Sequence, residues 1–475
     1  MINYFSKQIL IKLAKITHTV SRFFNLGNGS TWPGHVALMI KPTIVGDIMS
    51  KSRTEVILIV GTNGKTTTAT MLSTILKHAG NKVIHNTSGA NLLNGIASTM
   101  LLHTNPKGIL SADYAVFEVD ENNLPIVLQH IQPKIIIALN LFRDQLDRYG
   151  ELDTIARKWN AAFRHLSPKT TLVLNSDDPL IAYLAKDVVA PVVYFGLPKE
   201  TKGQEVMEHA ADSLYCPNCG HKLTYQKVFY SHLGIWECPS CGVKRPLPTL
   251  SDATSSLPGT YNIYNALAAT LAAQTLGIGL PAITSALQTV QPAFGRQEVI
   301  SYKGKNIQIF LSKNPTSFNE SIKTITEINH SSVILNASEE SHSKDGKQKF
   351  VERDPSTQQS FAQDDKSKKP TILVVLNDRI PDGRDISWIW DIDIENFTFQ
   401  TVIVSGDRTY DMALRLAYAS NTQYAIRNSF IIEQDLQKAI AKALEHLKPT
   451  DTLFILPTYS AMLDVRKILT GRKIR

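Results

Sequence analysis

The stretch Val56-Ile-Leu-Ile-Val-Gly-Thr-Asn-Gly-Lys-Thr-Thr-Thr68 limits what this chain can become more than any other. Its apolar run suits a strand buried on both faces. The chain then turns at Gly61, passes Gly64 and enters a helical segment from about Lys65. This order predicts a strand whose carboxyl end feeds a helix N-terminus, where backbone N–H groups and the helix dipole attract phosphate oxygens. Thr62, Asn63, Gly64, Lys65, Thr66 and Thr67 are therefore candidate nucleotide-binding residues. Lys65 would reach the β- and γ-phosphates, and the Thr66 hydroxyl is placed to ligate Mg²⁺. Ile59 occupies the position where the strict Walker A pattern has its first glycine, so the strict motif is not met.

A metal-bound triphosphate also needs carboxylates. Val116-Phe-Glu-Val-Asp-Glu121 supplies them at the carboxyl end of a second predicted strand, the edge where open α/β sheets bind ligands. Glu118 is the Mg²⁺ candidate, whereas Asp120 and Glu121 read as helix-start residues. Further strands are expected at 135–140 and 171–175, with helix-length segments between, and a helix over 262–276. Strands alternating with helices mean a parallel sheet with crossover helices. A last α/β unit is expected to carry strands at 307–311, 332–335, 372–376, 401–404 and 452–456.

Residues 205–248 interrupt this pattern with four cysteines. Cys216-Pro-Asn-Cys219 and Cys238-Pro-Ser-Cys241 form two matched knuckles, each followed by glycine. Such a pair can close one tetrahedral S₄ site, the usual arrangement for structural Zn²⁺, although S₄ sites also accept iron. Four cysteines in 475 residues cannot be a disulfide scaffold. If all four hold metal, none remains as a catalytic nucleophile.

At roughly 150 residues per domain the length suggests about three parts. The expected division is 1–50, an N-terminal amphipathic helix and lead-in; 51–300, a P-loop ATPase domain with the inserted zinc ribbon; and 301–475, a C-terminal α/β domain. Within the last, 338–369 is charge-rich and poor in apolar residues, and reads as a mobile loop between two strands. Hydrophobic residues at 43% and charged residues at 19% exclude a wholly disordered chain. No uninterrupted apolar run reaches membrane-spanning length, and the first segment does not read as a secretory signal, so a cytoplasmic location is expected. The net charge of +8 suits an anionic partner. Over residues 1–25, Ile2, Phe5, Ile9, Leu13 and Ile16 fall on one helical arc opposite Lys7, Lys15 and Arg22. That arc would either pack on the domain or lie in the plane of a membrane surface.

The loop Gly61-Thr-Asn-Gly-Lys-Thr-Thr-Thr68 resembles that of the Mur ligase family, the ATP-dependent ligases of peptidoglycan precursor synthesis, and of their folylpolyglutamate synthase relatives. Ser88-Gly-Ala-Asn-Leu-Leu-Asn-Gly95, Asn140-Leu-Phe-Arg-Asp-Gln-Leu-Asp-Arg-Tyr-Gly150, Leu174-Asn-Ser-Asp-Asp-Pro179, Leu257-Pro-Gly-Thr-Tyr-Asn-Ile-Tyr-Asn265 and Phe294-Gly-Arg296 look like family motifs in family order. The resemblance implies nucleotide contacts from Asn262 or Asn265 and from Arg296. Three departures mark a branch. Gln145 stands where family ligases carry a metal-site histidine; Trp159, next to Lys158, stands where many carry a modified lysine. Leu311-Ser-Lys-Asn-Pro315 replaces an Asp-Tyr-Ala-His-Asn-Pro stretch.

The cysteine insert and Asn377-Asp-Arg-Ile-Pro-Asp-Gly-Arg-Asp-Ile-Ser-Trp-Ile-Trp-Asp391 resemble the amidating branch of the family, the synthetase subunits of lipid II isoglutaminyl synthase. The implied reaction uses ATP and Mg²⁺ to activate the D-glutamate α-carboxylate of the lipid II stem peptide as an acyl phosphate. Ammonia then gives D-isoglutamine. The implied partner is a GatD-like glutamine amidotransferase, whose Cys–His pair is completed by an aspartate of this chain. The candidates are Asp382, Asp385 and Asp391; Asp385 is favoured because Asp382 precedes Gly383 and reads as an ordinary turn residue. Trp388 and Trp390 are open to core packing or a partner-facing role. A stand-alone amino-acid ligase is the alternative that those three departures oppose. A zinc-ribbon nucleic-acid motor lacks an arginine-rich track or aromatic series.

Overall fold

The computed structural model describes residues 14, 16, 31–86, 90–143, 152–204, 211–342, 369–420, 430–448 and 451–471. The expected amphipathic helix at 1–25, Gln145 and most of the charged insert lie outside this set.

The first sheet is all parallel, with strand order β2-β3-β1-β4-β5-β6. Its strands are β1 Glu55–Val60, β2 Val83–His85, β3 Tyr114–Glu118, β4 Ile135–Ala138, β5 Thr171–Asn175 and β6 Val192–Phe195. The connection from the carboxyl end of β1 runs to β2, on the side of β3, whereas that of its other neighbour β4 runs the opposite way to β5. Such a switch point opens a crevice for ligand. Helices cover both faces, which is why β1 is apolar almost throughout. Val56, Leu58 and Val60 join one core with Phe117, Trp159 and Phe163, and Ile57 and Ile59 join the other with Leu72, Ile75 and Leu267.

A second six-stranded sheet has the order β13-β12-β11-β14-β10-β9. It comprises β9 Arg296–Tyr302, β10 Lys305–Phe310, β11 Thr371–Val375, β12 Thr401–Ser405, β13 Ile431–Ile432 and β14 Thr452–Pro457, with only β9–β10 antiparallel. The insert contributes an antiparallel pair, β7 Thr224–Tyr230 and β8 Leu233–Glu237. The C-terminal α/β unit and the strands expected near 307, 372, 401 and 452 are present.

The strand expected at 332–335 is absent: those residues lie inside a helix, Pro315–His342. The apolar run Ser332-Val-Ile-Leu335 suggests a strand, but a short run takes the state of its surroundings. Phe318, Ile322 and Ile325 recur at helical spacing on the second core and set the helix going. The charged segment therefore follows a helix, and its first residues belong to that helix.

Candidate active site

Gly61 and Gly64 both have positive φ, 138° and 90°, and Gly64 caps the Lys65–His78 helix. A Cβ on Gly64 would lie 2.2 Å from Asn265 Oδ1, so only glycine lets the loop pack against that asparagine. The loop is braced from below by the residues following β4. Asn63 N–H donates to Asn140 Oδ1 at 2.8 Å, Asn140 Nδ2 returns a bond to Asn63 O at 3.1 Å, and Thr62 N–H donates to Asn140 O at 3.0 Å. Asn140, the first residue of the 140–150 motif, thereby holds the Asn63 backbone on both sides.

Thr66 Oγ1 donates to Glu118 Oε2 at 2.7 Å. The hydroxyl and carboxylate expected to share Mg²⁺ therefore converge, although they come from different strand–loop units. Lys65 Nζ donates to Gly61 O and reaches Glu121 Oε1 at 2.8 Å. Glu121 is buried and is thus more than the helix-start residue expected; its distance from the glycine loop in sequence hid the pairing. Trp159 is fully buried and its indole N–H donates to Glu121 O at 2.7 Å, while Lys158 Nζ lies 3.3 Å from Asn122 Oδ1.

On the Thr260–Thr275 helix, Asn265 Oδ1 accepts from Thr68 Oγ1 at 3.2 Å and Asn265 Nδ2 donates to Asn262 Oδ1 at 3.2 Å. Both asparagines and Arg296 line a cleft of about 870 Å³, counted with its open mouth, along with Asn63, Gly64 and Thr67. Enclosure pulls the Arg296 guanidinium pKa down, and the Glu118 carboxylate opposes that shift most strongly among neighbouring charges. The far wall belongs to the second sheet and its helix, with Lys313, Ser317 and Glu320. Asn314 Nδ2 lies 3.4 Å from Asn63 Oδ1 across the cleft. The cleft is thus lined by the glycine loop, two asparagines and an arginine, and the Lys65–Glu121 and Thr66–Glu118 pairs belong to the same loop.

The four cysteine sulfurs lie within 4.8 Å of one another, with Cys216–Cys241 at 3.6 Å and Cys219–Cys238 at 3.5 Å. A tetrahedral zinc with ~2.3 Å bonds needs sulfurs ~3.8 Å apart, so the set fits that ion. Both knuckles repeat one bonding pattern: Gly220 N–H to Cys216 O at 2.8 Å and Gly242 N–H to Cys238 O at 3.0 Å. The insert is fastened to the first sheet through Asp177, which is fully buried. Arg245 Nε and the Tyr264 hydroxyl each donate to it at 2.7 Å. Burial pushes the Asp177 carboxyl pKa up, and the Arg245 charge opposes it.

The three candidate aspartates of the C-terminal unit separate clearly. Asp382, read as a simple turn residue, is buried: its carboxylate accepts from Ser460 N–H at 2.8 Å and from the Ser460 hydroxyl, at the start of the Tyr459–Thr470 helix. Asp385 is exposed, with Oδ1 accepting from Ser387 N–H at 2.8 Å. Asp391 lies 3.3 Å from Arg143 Nη1, across the two units. Trp388 packs against Phe318, whereas Trp390 is 46% exposed and meets Tyr418 edge to face.

Residues 59–273 match the family model described as Mur ligase middle domain, and residues 356–462 match MurT ligase C-terminal. Among solved structures, a pseudomurein peptide ligase type C from Methanothermus fervidus superposes with a TM-score of 0.61 at 23% identity, covering 90% of this chain and 80% of that one. MurF from Acinetobacter baumannii gives 0.58 at 17% identity, covering 92% and 79%. Fold and site define a ligase of the Mur class, a class that uses ATP and Mg²⁺. Within it the chain belongs to the MurT family. It is 31% identical over 471 residues to the lipid II isoglutaminyl synthase (glutamine-hydrolyzing) subunit MurT of Streptococcus pneumoniae (strain ATCC BAA-255 / R6), covering 94% of each chain. The subunit MurT of Staphylococcus aureus (strain COL) is 29% identical over 472 residues, covering 95% of each. The relatives' designation as a subunit implies a partner chain.

Proposed function

We propose that this chain is the synthetase subunit that amidates the α-carboxylate of D-glutamate in the lipid II stem peptide, giving D-isoglutamine. The observation that carries the reading is the Lys65 and Thr66–Glu118 arrangement on the loop whose Asn63, Gly64 and Thr67 line a cleft together with Arg296, in a chain aligned nearly end to end with MurT subunits. A carboxylate is a poor electrophile, and transfer of the γ-phosphoryl group makes an acyl phosphate that ammonia can attack, with phosphate leaving. Phosphoryl transfer asks mainly for positioning and positive charge. The Thr62–Thr67 loop would cradle the phosphates, and Lys65 would leave Glu121 for the β- and γ-phosphate oxygens. Asn262, Asn265 and Arg296 would hold the rest of the nucleotide. Thr66 and Glu118 would hold Mg²⁺, which screens phosphate charge when bound.

Ammonia would come from glutamine through a separate GatD-like amidotransferase. All four cysteines of this chain sit in the zinc-type cluster, leaving none for a glutaminase nucleophile. Asp385 would orient the partner's histidine; its exposure supports a partner-facing role. The substrate's lipid tail puts the work at the cytoplasmic membrane face. Among the described residues no helix is long and apolar enough to cross a membrane.

The test is an assay with lipid II, ATP, Mg²⁺ and ammonium chloride, without partner, read by mass spectrometry. The expected product is lighter by about one mass unit, and Lys65→Ala abolishes it. With the amidotransferase added, glutamine should replace ammonium, and Asp385→Ala should lose the glutamine-dependent rate while keeping the ammonium-dependent one. ATP hydrolysis without any mass change would reject amidation and favour addition of an amino acid.

A further inference from the structure

Glu118 presents its two oxygens to two different partners. Oε2 faces the Thr66 hydroxyl, and Oε1 lies 3.3 Å from His85 Nε2. His85 ends β2, which pairs with β3 in a register that sets His85 beside Val116. The ring therefore stands at the same sheet edge as the glycine loop. The next residue, Asn86, is buried and locks the alignment in both directions. Its Oδ1 accepts from Glu118 N–H at 2.8 Å, and its Nδ2 donates to Glu118 O at 2.9 Å. Side-chain exposure is 12% for His85 and 4% for Glu118, so the pair is largely withdrawn from bulk water, and the Glu118 charge acts on Arg296 of the cleft.

We propose that His85 Nε2 is a ligand for a divalent cation held at the triphosphate, using Glu118 Oε1 as its companion. The proposal rests on the nucleotide–metal reading of this cleft. Two donors ~2.1 Å from an octahedral cation at right angles lie ~3.0 Å apart, close to the observed separation. Imidazole with carboxylate is a donor set that Mn²⁺ accepts readily alongside phosphate oxygens. Glu118 would then serve a cation on each side: Oε2 with Thr66, Oε1 with His85.

The experiment uses Mn²⁺ and a non-hydrolysable ATP analogue on the full-length chain, read by electron spin-echo modulation. Growing the protein with ¹⁵N-labelled histidine should convert a ¹⁴N modulation of bound Mn²⁺ into a ¹⁵N one, with no substitution needed. His85→Gln should remove the histidine coupling and weaken Mn²⁺ binding by about tenfold or more. His35→Gln, on a helix away from the cleft, should leave both unchanged. Mn²⁺ bound with the analogue but without histidine coupling would overturn the proposal and make His85 a hydrogen-bonding support for Glu118. Failure of Mn²⁺ and the analogue to bind at all would instead reject the nucleotide reading of the cleft.

Discussion

Lys65 Nζ lies 2.8 Å from Glu121 Oε1 in a pocket where both side chains are about nine-tenths buried. The lysine proposed to hold phosphate is thus already neutralised by a carboxylate of the neighbouring strand's loop. A phosphate arriving at the glycine loop exchanges one anion for another and need not carry the full cost of desolvating a lone cation.

Removing that carboxylate should show up in the free protein more than in the nucleotide-bound one. Glu121→Gln removes the carboxylate charge beside a buried ammonium, and should lower unfolding stability by about 3 kcal/mol without nucleotide. A non-hydrolysable ATP analogue supplies the missing charge, so its stabilising shift in Tm should exceed that of the wild type. Equal shifts in the two proteins would show that Lys65 does not change partners.

The cysteine cluster predicts about one zinc per chain by elemental analysis. Cys219→Ser should release it and lower Tm, and a strong chelator should do the same to the wild type. Since the insert reaches the nucleotide helix through Asp177 and Tyr264, metal loss should also weaken binding of the ATP analogue. Unchanged binding in the metal-free protein would confine the metal's effect to the insert.

Arg143 joins two carboxylates in different settings. Asp212 has a 3% exposed side chain and also accepts Arg143 N–H at 2.9 Å, whereas Asp391 is 36% exposed. Asp212→Asn should therefore cost about 2 kcal/mol, and Asp391→Asn under about 1 kcal/mol, because solvent screens the second pair. Denaturant titrations of the two variants and the double variant would test the order; a larger loss at Asp391 would reverse it.

Burial raises the Asp382 pKa above its ordinary value, with the Ser460 hydroxyl and N–H acting in the other direction. Between the unfolded value near ~3.9 and the raised folded value, the native chain holds more protons than the unfolded chain. Stability from this group is then present at the acid end and falls as pH climbs through the window. Asp382→Asn keeps a carbonyl for Ser460 and removes the titration. Tm of the variant minus that of the wild type should become more positive as pH rises from about 4. A difference that stays flat would contradict the raised pKa.

The sequence reveals the parts of this site that are contiguous. The turn 61–66 is legible because strand, glycine and helix signals fall in one stretch, and β3 and β5 match their expected ends because their apolar runs are bounded by polar residues. The two knuckles are legible from spacing alone. Glu121, His85 and Asn140 escaped as site residues because each acts on a group tens of residues away, and parallel pairing brings such distant strand ends together without a local mark. Asp382 lies in a turn as expected, but its burial against Ser460 is not legible, since a residue before glycine has the same sequence appearance whether it faces water or a distant helix start. The 332–335 segment failed for the opposite reason: local propensity was clear, and the helix begun at Pro315 overrode it.

Arg245 belongs to the cysteine insert, and Asp177, whose charge it balances, lies in the turn after β5 of the parallel sheet. A deletion of residues 205–248 would therefore strand a carboxylate deep in the first unit, beneath the helix carrying Asn262 and Asn265. Trimming the protein to a smaller catalyst would require replacing Asp177 in the same step, with Tyr264 as the companion position. The same coupling acts as a ratchet on descent: a lineage that has adopted the ribbon can lose it only through paired changes on both sides of the junction.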